Sequence, residues 1–182
     1  MTKKVLVILS EGFEEIEAIA PIDILRRAKV EVTIATSNKD VVVTGRNGIR
    51  VVADQYLKKV DSEMFDILVL PGGSAAHLLR GREDILELVR GFYEKGKKIA
   101  AICAAPLILK SSGVLEGHRY TGYPHEELIE REKEALVVKD RQLITSQSAG
   151  TAIEFALNIV ADLVGRKVAD KIKGDICFLY EY

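Results

Sequence analysis

A chain of 182 residues with 48% hydrophobic and 29% charged residues has the size and make-up of one ordinary soluble domain, which excludes disordered, collagen-like and disulfide-scaffold classes. Lys and Arg number 26 against 27 Asp and Glu, so no global field favours nucleic acid or an anionic membrane, although a local basic patch is compatible with that balance. The two cysteines, Cys103 and Cys177, lie far apart and lack any C-x-x-C or C-x-x-H spacing, so no metal site is expected and a reducing cytoplasm is the simplest home.

Residues 5–9 (Val-Leu-Val-Ile-Leu) form a continuous apolar run rich in β-branched side chains, which predicts a strand covered on both faces. The run is too short for a signal-peptide core, and no other stretch approaches the roughly 20 apolar residues a bilayer requires, so a soluble chain is expected. Helical spacing follows over residues 14–28. Residues 30–36 alternate like a half-exposed strand, and residues 41–44 and 49–52 flank a Gly-Arg-Asn-Gly turn that reads as a hairpin. Residues 65–70 are a second buried run ending at Pro71-Gly72-Gly73, and residues 84–95 carry an apolar stripe at helical spacing. Residues 98–103 give a third buried strand, joined by a very short turn to a helix over 104–109 that ends near Gly113. A charged, exposed helix is predicted over 126–133, a hairpin over 135–139 and 142–145, and an apolar helix over 151–164. An apolar C-terminal tail with Phe178, Leu179, Tyr180 and Tyr182 is expected to pack on this chain or on a second subunit. With no linker or repeat, the pattern implies one domain over 1–182, an α/β three-layer sandwich with a mostly parallel sheet.

Ligands of such sheets sit outside the carboxyl ends of the strands, which directs attention to residues 10–17, 71–74 and 103–106. Cys103 closes a strand and opens a helix, the turn that presents a nucleophile on α/β folds. A thiol at a helix N-terminus is expected to have a lowered pKa; the plain alternative is a small hydrophobe ending a core strand. Glu17 shares a helix face with Ala20, Pro21, Ile24 and Ala28, which places a carboxyl on a stripe due for burial and favours its protonated form, unless it reaches back to solvent. Glu14 and Glu15 are expected to complement the helix N-terminus. Gly72 and Gly73 free backbone N–H groups for an oxyanion, with Ala104 as a further donor, although Pro-Gly-Gly after a strand also serves as a simple turn. His77, His118 and His125 have no catalytic setting in the sequence. Nucleotide-hydrolysing, dinucleotide-binding and zincin signatures are absent, and no cofactor is expected.

Taken together, six ordered blocks resemble the ThiJ/PfpI family, the superfamily that includes the parkinsonism-associated protein deglycase, and the deglycase-like branch in particular. They are Val-Leu-Val-Ile-Leu at 5–9, Gly-Phe-Glu-Glu-Ile-Glu at 12–17, Pro-Ile-Asp at 21–23 with Arg-Arg-Ala at 26–28, Val-Leu-Pro-Gly-Gly at 69–73, Ala-Ala-Ile-Cys-Ala-Ala-Pro at 100–106, and the segment from Thr145 to Ala156. The resemblance implies a flavodoxin-like sandwich, usually a homodimer, with Cys103 as elbow nucleophile, Glu17 hydrogen-bonded to it, and Gly72, Gly73 and Ala104 around an anion pocket. Two departures stand out. Tyr123 falls where many members place a histidine near the cysteine, with His125 two positions on, and Ala104 stands where the peptidase branch has a histidine after its nucleophile. A downstream His-x-Glu pair of the glutamine amidotransferases is also missing.

The resemblance implies a cysteine-dependent enzyme acting on reactive 2-oxoaldehydes, either free or already added to protein amines and thiols, with Tyr123 orienting substrate and without a cofactor. The alternative is a redox stress sensor or chaperone-like protein in which Cys103 is oxidised, and an intracellular cysteine peptidase comes third. The expected partner is a small aldehyde or a glycated protein, with no nucleic acid and no membrane.

Overall fold

The computed structural model describes residues 2–178. Its centre is a seven-stranded sheet in the order β5-β2-β1-β6-β7-β9-β8. The elements are β1 (Lys4–Leu9), β2 (Glu31–Thr36), β3 (Val42–Thr44), β4 (Arg50–Val52), β5 (Gln55–Tyr56), β6 (Ile67–Leu70), β7 (Lys98–Ile102), β8 (Val137–Asp140) and β9 (Leu143–Ser146). The helices are α1 (Glu15–Arg27), α2 (Ser74–Leu79), α3 (Glu83–Glu94), α4 (Pro106–Ser111), α5 (Ala152–Val164) and α6 (Arg166–Asp175). All neighbours in the large sheet run parallel except β8, which pairs antiparallel to β9, while β3 and β4 form a separate hairpin.

The continuous apolar runs become the inner strands because both of their faces are covered. Along β1, Val5, Val7 and Leu9 enter one core with α1, α5 and α6, whereas Leu6 and Ile8 enter a second core with α2, α3 and α4. The chain winds outward from β1 to β2 and β5, then returns to the other side of β1 with β6 and β7. That reversal lies between β1 and β6, so the carboxyl ends of β1, β6 and β7 meet at the crevice where such sheets hold ligands.

Two parts of the fold differ from the sequence expectation. No helix forms over residues 126–133, which run as turns. The Glu132 N–H donates to the Tyr120 carbonyl at 2.8 Å, the Glu132 carbonyl accepts from Thr121 Oγ1 at 2.8 Å, and Leu128 is fully buried. Ties to residues 120 and 121 satisfy the backbone in place of a helical ladder that this charged segment could not bury. Conversely, α6 follows α5 after Gly165 although its apolar residues are few; Ala169 and Ile172 bury against the first core. Phe178 packs partly buried on that same core, and Leu179, Tyr180 and Tyr182 lie outside the described residues.

Asp162 on α5 locks the sheet to its helix layer. Its side chain is 7% exposed and is ion-paired with Lys98 of β7 and Lys139 of β8. Burial alone would raise its pKa, but the two ammonium groups hold the carboxyl below its usual range. Asp162→Ala leaves two lysines beside an apolar helix with no counter-charge, and because both can swing toward solvent the expected loss is about 1–2 kcal/mol rather than the full cost of a buried ion. Urea unfolding at pH 7 checks this; an unchanged midpoint would mean the pair is idle. Among the described residues, no helix is long and apolar enough to cross a membrane.

Candidate active site

The turn after β1 is the first wall of the site. Gly12 adopts φ +80°, and Phe13 bridges to Gly73 while the Glu14 N–H donates to the Gly72 carbonyl at 3.2 Å. Glu14 is the N-cap of α1, its carboxylate accepting from the Glu17 N–H at 2.8 Å, as a helix start requires. Glu15 complements the helix end through its own backbone N–H, as expected, and takes on a second task. It is buried and clamps the β3–β4 turn, accepting from the Asn47 N–H at 2.6 Å, Asn47 Nδ2 at 2.9 Å and the Ile49 N–H at 3.4 Å. The hairpin is thereby fastened beside the turn that leads into Glu17.

Glu17 is 1% exposed, in the first turn of α1. One of its oxygens, Oε2, accepts from the Gly72 N–H at 2.9 Å; its carboxyl also bonds the Cys103 side chain and receives the Ala149 N–H. Burial is the largest influence and raises its pKa to about 7, with the neighbouring charge of Glu14 adding to the rise and the hydrogen bonds from Cys103, Gly72 and Ala149 opposing it. Near neutral pH both protonation states are populated.

Cys103 follows the last residue of β7 with φ +64°, a left-handed conformation that a non-glycine residue adopts at a cost. Its N–H donates to the Ser146 carbonyl at 3.0 Å and its carbonyl accepts from the Tyr123 N–H at 2.8 Å, so both backbone groups are pinned. Pro106 stands at the first turn of α4, as expected from the sequence, but that helix begins three residues beyond the sulfur and is only six residues long. The lowered thiol pKa expected from a helix N-terminus is therefore corrected. Burial first, then the charge and hydrogen bond of Glu17, push the Cys103 thiol up to about 12, while the Ala104 and Gly73 amides pull the other way. The two acids compete for one negative charge, and the contribution of Glu17 to raising the thiol vanishes when Glu17 is protonated.

The glycines divide their tasks. Gly72 gives its amide to Glu17, so it is not free as an oxyanion donor, whereas Gly73 and Ala104 direct their N–H groups at the sulfur. A Cβ on Gly72 would lie 2.6 Å from Glu17 Oε2, 2.8 Å from Cys103 Cβ and 3.0 Å from the Ala104 nitrogen. Gly72→Ala must therefore push apart the two acids. The expected result is destabilisation of about 1–3 kcal/mol and at least a tenfold drop in Cys103 alkylation or turnover, whichever is measured; wild-type behaviour in both would show the close approach to be dispensable.

Tyr123 meets the site through its backbone, and its side chain is 54% exposed. His125 is occupied elsewhere: Nδ1 accepts from the Glu127 N–H at 3.1 Å, and its ring lies 5.9 Å from that of His77. Three supports escaped the sequence reading of individual residues: the Ser146 carbonyl, the Ala149 amide and Gly122, whose absent Cβ leaves room for the Cys103 carbonyl and Pro106. The repeated family pattern around residues 145–156 was the signal that pointed toward the first two.

A parallel sheet with a cysteine on a left-handed elbow, a buried carboxyl against its sulfur and backbone amides around both defines the class. The chain belongs to the DJ-1/PfpI family, whose sequence pattern matches residues 3–162. It is similar to DJ-1beta of Drosophila melanogaster, at 41% identity over 181 residues, covering 96% of this chain and 97% of that protein. The crystal structure of that Drosophila protein superposes with a TM-score of 0.94, covering 99% of this chain and 100% of the other. A structure of oxidized Toxoplasma gondii DJ-1 is 33% identical with a TM-score of 0.91, covering 98% and 100% of the two chains. A Pyrococcus abyssi protein named as a deglycase is 40% identical over 121 residues, which cover 66% of this chain and 72% of that protein.

Proposed function

We propose that this protein is a cofactor-independent enzyme acting on reactive 2-oxoaldehydes, free or attached to proteins, as a cytoplasmic homodimer. The observation that carries the reading is the contact between Cys103 and a buried Glu17 whose pKa is about 7, with the Gly73 and Ala104 amides beside the sulfur. The deglycase name of the Pyrococcus relative supports the substrate class, and the exposed Ile16 and Ile19 on α1 support a partner-covered face.

For methylglyoxal the chemistry balances without an oxidant. The Cys103 sulfur bonds to the aldehyde carbon and the aldehyde oxygen takes the thiol proton, giving a hemithioacetal. During the addition the Gly73 and Ala104 N–H groups hold the developing oxyanion. The Glu17 carboxylate then removes the proton from that carbon and returns a proton to the adjacent one, converting the adduct to a thioester of lactate. Water cleaves the thioester, releasing lactate and restoring the thiol. Tyr123, whose backbone N–H is held by the Cys103 carbonyl and whose side chain is exposed beside the site, orients the substrate in this scheme.

A second reading rests on the same contact. A protonated Glu17 can donate to an oxidised sulfur, and the oxidized Toxoplasma relative makes a redox-sensing role for Cys103 a direct competitor. Incubation with methylglyoxal decides: accumulation of lactate supports the enzyme, whereas no turnover together with a peroxide-dependent gain of two oxygens at Cys103 supports the sensor.

A further inference from the structure

A groove of about 880 Å³ opens at the same sheet edge but on the far side of β1 from Cys103, between the carboxyl ends of β2 and β5 and the start of α3. Its volume lies in the range of small-ligand sites. Lys39, Lys58, Lys59 and Arg82 line it, against the single acid Asp84. Arg82 and Asp84 satisfy each other, through Nε at 3.1 Å and Nη2 at 2.6 Å, and Arg82 Nη1 also holds the Ser37 carbonyl at 3.3 Å. That leaves three lysines, none of which has a carboxylate partner among the described residues. Lys58 and Lys59 place their ammonium groups 5.6 and 5.8 Å from the ring centre of Tyr56. In a chain whose formal charge is -1, this is a concentration of positive charge that no carboxylate among the described residues pairs with.

An independent observation falls on the same wall. The Ser37 hydroxyl is enclosed without a hydrogen-bond partner among the described residues, an expensive arrangement that turning its side chain toward an acceptor in the groove would relieve. Its neighbour Asn38 is fully employed by comparison, its Oδ1 accepting from Ser10 Oγ at 3.0 Å and the Glu11 N–H at 3.4 Å. The apolar flanks Leu57 and Leu88 and the ring of Tyr56 add surface for a carbon skeleton.

We infer that this groove binds a small organic phosphate carrying two or more negative charges, the phosphate oxygens meeting the ammonium groups of Lys39, Lys58 and Lys59 and the Ser37 hydroxyl. Three ammonium groups match a diphosphate or a phosphate monoester better than a single carboxylate, and the bounded groove fits one nucleotide-sized molecule rather than a strand.

Titration of the ¹⁵N-labelled protein with inorganic pyrophosphate, ADP, ribose 5-phosphate and adenosine tests this at low ionic strength. The phosphates should cause saturable amide shifts at residues 37–39 and 56–60, weakened by added salt, and adenosine should cause none. ADP binding more tightly than pyrophosphate would assign a nucleotide, and ribose 5-phosphate matching ADP would assign a sugar phosphate. The exposed pair Lys58→Glu/Lys59→Glu should weaken pyrophosphate at least about tenfold without altering the melting temperature, and Lys39→Glu should weaken it separately. The proposal is overturned by the absence of saturable shifts, by shifts centred on Gly73 and Ala104 instead, by adenosine binding as well as ADP, or by full affinity in the charge-reversed variants.

Discussion

Glu17→Gln should lower turnover of a 2-oxoaldehyde by roughly 10²–10⁴-fold while making the protein relatively more stable as pH rises. The first effect follows from removing the group that, in the proposed mechanism, moves a proton between adjacent carbons. Gln keeps the shape and can still accept from the Gly72 N–H, but it cannot take or return a proton. The second effect follows from linkage. In the unfolded chain the carboxyl titrates near 4.5, and in the fold near 7, because burial penalises its charge. The folded state therefore holds the proton to higher pH than the unfolded state does. Stability from this residue is fully present below about 4.5, falls as pH rises between 4.5 and 7, and is level above that. The total change is about 3 kcal/mol. Gln does not titrate, so its stability measured against wild type should climb by about that amount from pH 4 to pH 8. The absolute offset will be smaller than the climb at high pH, because the Gln amide has one acceptor oxygen where the carboxylate has two to meet Cys103, Gly72 and Ala149. Urea unfolding at several pH values reads the climb, and a flat difference would show that Glu17 does not hold its proton in the fold.

Cys103→Ala should reduce lactate formation at least about a thousandfold, since no other thiol belongs to the site. Comparison of Cys103→Ala with Cys103→Gly adds a test of the elbow itself. In most places glycine is the less stable of the two, because it loses more backbone freedom on folding. At φ +64° the order should reverse, with the glycine variant about 1 kcal/mol more stable than the alanine variant, since only the side-chain carbon opposes a left-handed backbone. Equal turnover in wild type and either variant would remove Cys103 from the mechanism, and alanine proving the more stable would remove the strain argument.

The pair also explains why the sulfur need not be a standing thiolate. When Glu17 carries the proton, the charge that most directly opposes ionisation of Cys103 is gone, and the Gly73 and Ala104 amides face the sulfur. In the proposed function, reactivity is thereby tied to the protonation of the neighbour rather than to a helix dipole. Rates of Cys103 alkylation should consequently respond to titration of the pair near pH 7 as well as to the thiol alone.

Much of this architecture is written locally. The runs at 5–9, 65–70 and 98–103 have no polar side to turn outward, so they can only become inner strands with helices on both faces. A carboxyl on the apolar stripe of α1 and a cysteine at a strand end are local facts as well, and each can be read without coordinates. The segment over 126–133 misled for a related reason: its charges suit an exposed helix, but its backbone bonds go to residues 120 and 121, a choice made by neighbours and invisible in the segment itself.

The amino-acid order by itself determined the strand and helix alternation, the elbow and the acid due for burial, because periodicity and turn chemistry act over a few residues. Tertiary structure decided where single hydrogen bonds go: Gly72 to Glu17 rather than to a ligand, Glu15 to the hairpin turn as well as to its helix end, and the thiol upward in pKa rather than down. Each of those outcomes depends on chain segments many residues apart that the fold brings within a few ångströms of one another. The desolvation that sets both acids is a property of that enclosure, not of any residue in it.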